Sequence, residues 1–235
     1  MKSKILNRLR GAEEFVSGQQ LCEEFGVSRT AVWKAINQLK EEGYEIEAVQ
    51  NKGYCLKDVP DVLGESEIKS RLHTRWAGQT LYYYDEIDST NTQIKRLAEE
   101  DAPHGTLAVA DYQSRGKGRR GRAWDSPHGS AIYMSILFRP EIRPDRASML
   151  TLVIGLSVTQ AIRSNLGLQA QIKWPNDVVL NGKKLVGILT EMSAQMNYIE
   201  YLVTGIGING NFRRNWRTKP LLCKKRSGIK STVLR

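Results

Sequence analysis

The chain has 235 residues, 40% of them hydrophobic and 26% charged, with 35 Lys and Arg against 25 Asp and Glu. That balance excludes a disordered chain and leaves room for one large domain or two smaller ones with a real core. The formal net charge of +10 is confined to one end: nine basic and no acidic residues follow position 209, leaving 26 basic against 25 acidic before it.

Ile5, Leu6 and Leu9 give a short first helix one apolar face. Ser17 and Gln20 form a capping-box pair for a second helix, which Gly26 closes. Ser28 caps a third, in which Val32, Ala35, Ile36 and Leu39 recur at helical spacing and turn inward. Two helices joined by so short a turn make a helix-turn-helix. The strand–turn–strand pattern over 44–56, with Asn51-Lys52-Gly53 at its tip, adds a wing. The predicted module is a winged helix-turn-helix over residues 1–60. A helix that enters a DNA groove needs polar and cationic side chains near its N-terminus. Ser28, Arg29, Thr30, Trp33, Lys34 and Asn37 supply them, and Lys52 adds a cation at the wing. A helical hairpin serving protein contacts is the competing use of the same pattern. Residues 61–66 read as a linker, next to Pro60 and including Gly64.

In the second domain, expected over 67–209, a strand at 81–84 leads to Asp88 and to Ser89, which can cap a helix with Ile94, Leu97 and Ala98 on its inner face. Ser89, Thr90 and Asn91 thus gather at a helix N-terminus, where hydroxyls, an amide and free N–H groups can bind a polar ligand or form a plain cap. A strand at 106–111 runs into Gln113-Ser114-Arg115-Gly116-Lys117-Gly118-Arg119-Arg120-Gly121-Arg122. Its glycines match the dinucleotide fingerprint, but that fingerprint requires a helix directly afterwards. Here Ala123-Trp124-Asp125-Ser126-Pro127 and a strand at 132–138 follow, so the dinucleotide assignment fails. Glycines that admit close backbone approach, joined to five cations in eight residues, suit a phosphate; a solvated basic loop or nucleic-acid patch is the alternative.

A long helix is expected over 145–165 and a short strand over 171–173, ending in Lys173-Trp174-Pro175-Asn176-Asp177. A cation, an amide and a carboxylate at one strand end suit a phosphate, a base or sugar, and a magnesium ion. Asn181-Gly182 is a hairpin signal before a strand at 185–192, and a last strand from 199 runs into Gly205-Ile206-Gly207-Ile208-Asn209.

In this order and spacing, the winged helix, Asp88-Ser89-Thr90-Asn91, the Gly116–Arg122 loop with Trp124, Lys173-Trp174-Pro175-Asn176-Asp177, Lys184-Leu185-Val186-Gly187-Ile188 and the final glycine strand resemble the bifunctional biotin protein ligase/biotin operon repressor family over residues 1–209. The resemblance implies an α+β fold: a winged helix-turn-helix joined to a mixed-sheet catalytic domain akin to class II aminoacyl-tRNA synthetases. It implies condensation of biotin and ATP, with Mg2+, to biotinyl-5′-AMP. Biotin then passes to a lysine of the biotin carboxyl carrier protein of acetyl-CoA carboxylase. The adenylate-bound homodimer would sit on operator DNA and repress biotin genes. Carried over by position, Ser89, Thr90, Asn91, Gln113, Lys117, Gly118, Arg119 and Lys184 would contact biotin. Arg119, Arg122, Trp124, Lys173 and Asn176 would contact ATP, with Lys184 and Arg119 as the catalytic cations. Lys117 stands where the family usually has arginine, keeping the charge and losing the planar fork.

No continuous apolar run approaches the roughly 18 residues of a membrane span, and the N-terminus lacks a secretory h-region. Cys22, Cys55 and Cys223 form no paired or zinc-binding spacing. The expected location is the cytoplasm, with no protein-bound metal. Residues 210–235 do not match the family, which continues into an adenine-covering loop, a helix and an SH3-like domain. Loss of the reading frame near residue 210, with that domain missing, is the favoured expectation; a genuine basic tail adding phosphate contacts is the other. The alternative to a ligase that is also a repressor is a DNA-binding biotin or adenylate sensor whose ligation is impaired by loss of the C-terminal region.

Overall fold

The computed structural model describes residues 1–210, so the basic segment expected over 210–235 lies, apart from Gly210, outside the described residues. The chain divides into two compact units, Met1–Leu72 and the part from His73 onward. The expected α+β architecture is present.

In the first unit, helices α1 (Lys2–Arg10), α2 (Gly18–Phe25) and α3 (Arg29–Glu41) precede the antiparallel pair β1 (Glu45–Val49) and β2 (Gly53–Asp58). Ile5, Leu6, Leu9, Leu21, Val32, Ile36 and Leu39 are all 2% exposed or less and make its core. The capping box closes in both directions: Gln20 N–H donates to Ser17 Oγ at 3.1 Å and Ser17 N–H to Gln20 Oε1 at 2.9 Å. Gly26 ends α2 at φ 64°, and Ser28 Oγ accepts from Ala31 N–H at 3.2 Å to open α3. Ser28→Ala is expected to destabilise this unit by about 1 kcal/mol, read as a lower urea midpoint; an unchanged midpoint would refute the cap's contribution.

The expected linker at 61–66 runs instead into a helix, α4 (Glu65–Arg71), which packs on α1 within the first unit. Glu67, 7% exposed, accepts from Arg10 Nη2 and Arg71 Nε at 2.6 Å each and from the Tyr44 hydroxyl at 3.0 Å. Two guanidinium groups offset the cost of burying this carboxylate. Burial, followed by the charge and hydrogen bond of Glu67, pushes the Tyr44 phenol far up. The first compact unit therefore runs through α4 to Leu72.

The second unit is built on a seven-stranded mixed sheet of order β3-β4-β5-β9-β8-β7-β6. Its strands are β3 (Leu81–Ile87), β4 (Leu107–Gln113), β5 (Ala131–Phe138), β6 (Gln171–Lys173), β7 (Asp177–Leu180), β8 (Lys183–Ala194) and β9 (Ile199–Asn209). Only β3 and β4 pair in parallel, as they must with helix α5 (Thr90–Glu99) crossing between them. Leu137 and Val203, cross-strand partners, pack with Ile94 and Leu97 of α5. Their neighbours Phe138 and Leu202 pack with Ala147 and Leu150 of α6 (Ala147–Leu166), so the two helices cover opposite faces.

The expected helix from 145 begins as a 3-10 turn, Pro144–Arg146, and becomes α-helical at Ala147. The 23-residue stretch Pro144–Leu166 is long and apolar enough by length and average composition to cross a membrane, although no continuous apolar run in it reaches that length. Ser, Thr and Gly interrupt every apolar run in it without making the average polar. One side of this helix lies on the sheet through Ile154, Val158 and Ile162, while Met149, Leu152, Val153 and Leu156 are 41–60% exposed.

Candidate functional site

On the first unit, Ser28, Arg29, Thr30, Trp33 and Lys34 are exposed along one side of α3, and Lys52 is exposed at the wing tip. Trp33 is 59% exposed, an unusual cost for an indole with no contact to make. Arg29 Nη2 donates to Gln19 Oε1 at 3.0 Å, which leans the guanidinium toward α2. Asn37 is half-buried, farther along the helix.

The second unit carries a pocket where the N-terminus of α5, the loop after β4 and the glycine-bearing strands β8 and β9 converge. All eight residues expected around biotin line it: Ser89, Thr90, Asn91, Gln113, Lys117, Gly118, Arg119 and Lys184. Of the residues expected around ATP, Arg119, Trp124 and Asn176 line it too, whereas Arg122 and Lys173 are exposed and do not. Sequence reasoning missed Tyr133, Met134 and the pair Gly187 and Gly207, which also line the wall.

Gln113 organises the mouth. Its Oε1 accepts from Thr90 N–H at 2.9 Å and from the Thr90 hydroxyl at 3.0 Å, while its Nε2 donates to Ser126 Oγ at 2.9 Å. One side chain thus ties the start of α5 to the far end of the loop. Ser89 occupies the N-cap position but, contrary to expectation, its side chain makes no capping bond; the Asp88 carboxylate takes the Ser89 N–H at 2.7 Å instead. Burial raises the Asp88 carboxyl, but bonds from Arg96 and the Ser89 N–H outweigh it and hold it below its ordinary range. The Ser89 hydroxyl is left for a ligand.

The loop is folded on itself. Trp124 N–H donates to Gly116 O at 2.9 Å and Gly118 N–H to Arg122 O at 2.7 Å, with Arg119–Gly121 in a 3-10 turn between. Arg119 Nη1 donates to Asn176 Oδ1 at 2.8 Å, and Asn176 Nδ2 donates to Ile188 O at 2.9 Å. The loop cation is thereby held above β8.

Trp124 lies against the strands where they are bare. A Cβ built on Gly187 would come within 2.5 Å of its ring, and one on Gly207 within 2.8 Å. Gly187 and Gly207 are cross-strand partners, so together they make one flat patch for the indole. Trp124 Nε1 is buried without a hydrogen-bond partner among the described residues. With the ring seated there, the cavity is about 50 Å³, far below the roughly 300 Å³ of small ligand sites.

Lys184 Nζ sits 5.0 Å from the Trp124 ring centroid and 2.7 Å from Asp177 Oδ1. Asp177 thus faces this ammonium at salt-bridge distance, although its buried Oδ1 makes no hydrogen bond of good geometry among the described residues. No cluster of three His, Cys, Asp or Glu able to hold a metal occurs among the described residues. The donor set does not fit a resident magnesium site. Burial pushes the Tyr133 phenol up to about 12, keeping it neutral and excluding it as a base near neutral pH. The pocket offers hydroxyl and amide groups at one end and ammonium and guanidinium charges at the other, with no serine–histidine or cysteine–histidine pair lining it. That arrangement suits an anionic reaction centre better than a covalent protein intermediate.

Comparison with known proteins gives two family matches: Biotin/lipoate A/B protein ligase family over residues 83–209, and an HTH domain over 2–55. The chain is 47% identical over 206 residues to "Bifunctional ligase/repressor BirA" of Bacillus subtilis (strain 168), covering 88% of this chain and 63% of that protein. It is 38% identical over 202 residues to the protein of the same name in Escherichia coli (strain K12), covering 86% and 61%. Biotin protein ligase from Aquifex aeolicus, solved in complex with biotin and ATP, superposes at a TM-score of 0.51 with 36% identity, over 61% of this chain and 59% of that one. The chain thus spans about three fifths of the length of the curated relatives it matches.

Proposed function

This chain belongs to the biotin/lipoate A/B protein ligase family, and from that premise we propose that it joins biotin to ATP, giving biotinyl-5′-AMP and pyrophosphate, and passes the biotinyl group to a carrier-protein lysine. One observation carries the proposal: the eight residues assigned to biotin from four separate segments line a single pocket. In the first step a biotin carboxylate oxygen attacks the α-phosphorus and pyrophosphate departs. In the second a lysine amine attacks the acyl carbonyl, an amide forms, AMP leaves and the amine loses a proton.

Both reactants of the first step are anions, so the chain's task is to offset charge and fix an in-line approach. Lys184 would leave Asp177 for the reacting oxygens, and Arg119, exposed beside Asn176, would turn to the phosphate. Ser89, Thr90 and Gln113 would hold the polar ring of biotin, with the indole of Trp124, seated on the glycine patch, forming one wall beside the ligand. Magnesium would arrive as the ATP complex, as part of the substrate. Arg122 and Lys173, outside the pocket, would serve the outer phosphates.

The helix-turn-helix match and the exposed side chains of α3 and the wing support operator binding; an adenylate-bound homodimer acting in the cytoplasm completes the proposal. The carrier protein of acetyl-CoA carboxylase is the proposed acceptor. Incubating the chain with labelled biotin and ATP is expected to yield labelled adenylate, then labelled carrier domain. Adenylate without transfer, together with ligand-dependent operator binding, would make the chain a sensor; no biotin-dependent pyrophosphate release would refute the ligase assignment.

A further inference from the structure

Asn91 lines the pocket, yet neither end of its amide is available to a ligand. Its Nδ2 donates to Glu191 Oε2 at 2.8 Å and lies 3.4 Å from Leu189 O. Its Oδ1 accepts from the Ser135 hydroxyl at 2.6 Å, and that hydroxyl is also 2.8 Å from Thr90 Oγ1. Ser135 is 0% exposed and Asn91 is 4% exposed, so no water competes for these groups. Room for the amide comes from Gly205, where a Cβ would fall 2.1 Å from Asn91 Oδ1.

Resting on the biotin-ligase reading, we infer that Glu191 is a positioning residue of this pocket, holding the first turn of α5 in place through Asn91. Glu191 belongs to β8, the strand that opens with Lys183 and Lys184. Besides Asn91 it takes Lys95 Nζ on Oε1 at 2.6 Å. Asn91 and Lys95 are four residues apart and share one side of α5, so one carboxylate ties two successive turns of the helix to the strand that carries Lys184. The brace thereby fixes the spacing between the hydroxyl end of the pocket, Ser89 and Thr90, and its cationic end. Burial raises the Glu191 carboxyl, but hydrogen bonds from Lys95 and Asn91 and the charges of Lys95 and Lys117 outweigh it, keeping it ionised. Asn91 is then a brace and not a biotin donor, which revises its assigned role.

Removing the carboxylate leaves the buried Asn91 N–H groups with only the long contact to Leu189 O. In the full chain, Glu191→Ala is expected to weaken biotin binding, measured by calorimetry, about tenfold, with ATP affinity within twofold of the parent. Glu191→Gln, which still accepts from Asn91, should recover most of the loss. Amide hydrogen exchange at 90–93 should quicken in the alanine variant and stay near parental in the glutamine one. Should Glu191→Ala fail to fold, Lys95→Ala, which frees the carboxylate on one side, should show the same pattern about threefold in size. Parental biotin affinity and parental exchange in a folded Glu191→Ala or Lys95→Ala variant would overturn the brace. If the parent chain itself does not bind biotin, the ligase reading falls, and the exchange rates alone decide whether Glu191 holds the turn.

Discussion

Lys184→Ala lowers biotin-dependent pyrophosphate release by about 10²-fold or more, the expected loss when a preorganised charge is taken from an anionic transition state. In the ligand-free pocket the ammonium is shared between Asp177, at 2.7 Å, and the Trp124 face, at 5.0 Å. Neither partner encloses it, so it can exchange Asp177 for the more strongly charged reacting centre. Truncation removes that charge and also leaves the Asp177 carboxylate without its partner, adding a negative charge beside an incoming anion. Lys184→Arg should recover only part of the rate, since a planar fork does not replace a compact ammonium. Pyrophosphate release within threefold of the parent in a folded alanine variant would remove Lys184 from the proposed chemistry.

Gly187→Ala acts through shape. Its methyl group would lie 2.5 Å from one Trp124 ring atom and 3.1 Å from Lys184 Cε, so both side chains must shift. Overpacking of this kind costs on the order of 1–3 kcal/mol, and biotin affinity should fall about 50-fold. Titration calorimetry checks the value and a thermal melt checks folding. A folded variant that binds biotin within threefold of the parent would mean that the indole does not need the glycine patch.

Local chemistry was legible in the sequence where it acts locally. Ser17 with Gln20, Gly26 and Ser28 punctuate the helices through neighbours two to four residues away, and the structure has each of them in that role. The pocket was legible for a different reason: most of the residues expected around biotin fall in the short segments 89–91 and 113–119, and these line it. What supports those groups was not. Ser135 and Glu191 sit in strands whose pattern reads as ordinary alternation, and only the order β5-β9-β8 and the crossing of α5 bring them to Asn91. Gly187 and Gly207 were visible as letters, but the flat patch they form depends on their register across two strands 20 residues apart in sequence. Asp177 showed the same limit: its carboxylate read as suited to magnesium, and its place beside Lys184 follows only from the pairing of β7 with β8. Helix α4 escaped notice because seven residues carry too little periodicity, and what anchors it is the single carboxylate of Glu67.

The seat of Trp124 also gives the molecule an optical handle. Trp33, Trp76 and Trp174 are 59%, 47% and 76% exposed and emit as indoles in water. Trp124 is half-buried, its Nε1 enclosed without a hydrogen-bond partner among the described residues, and a cation lies 5.0 Å from its ring centroid. Among the four described indoles the bluest emission is therefore expected from this ring, and anything that lifts it from Gly187 and Gly207 changes the colour of the light before it changes the chemistry.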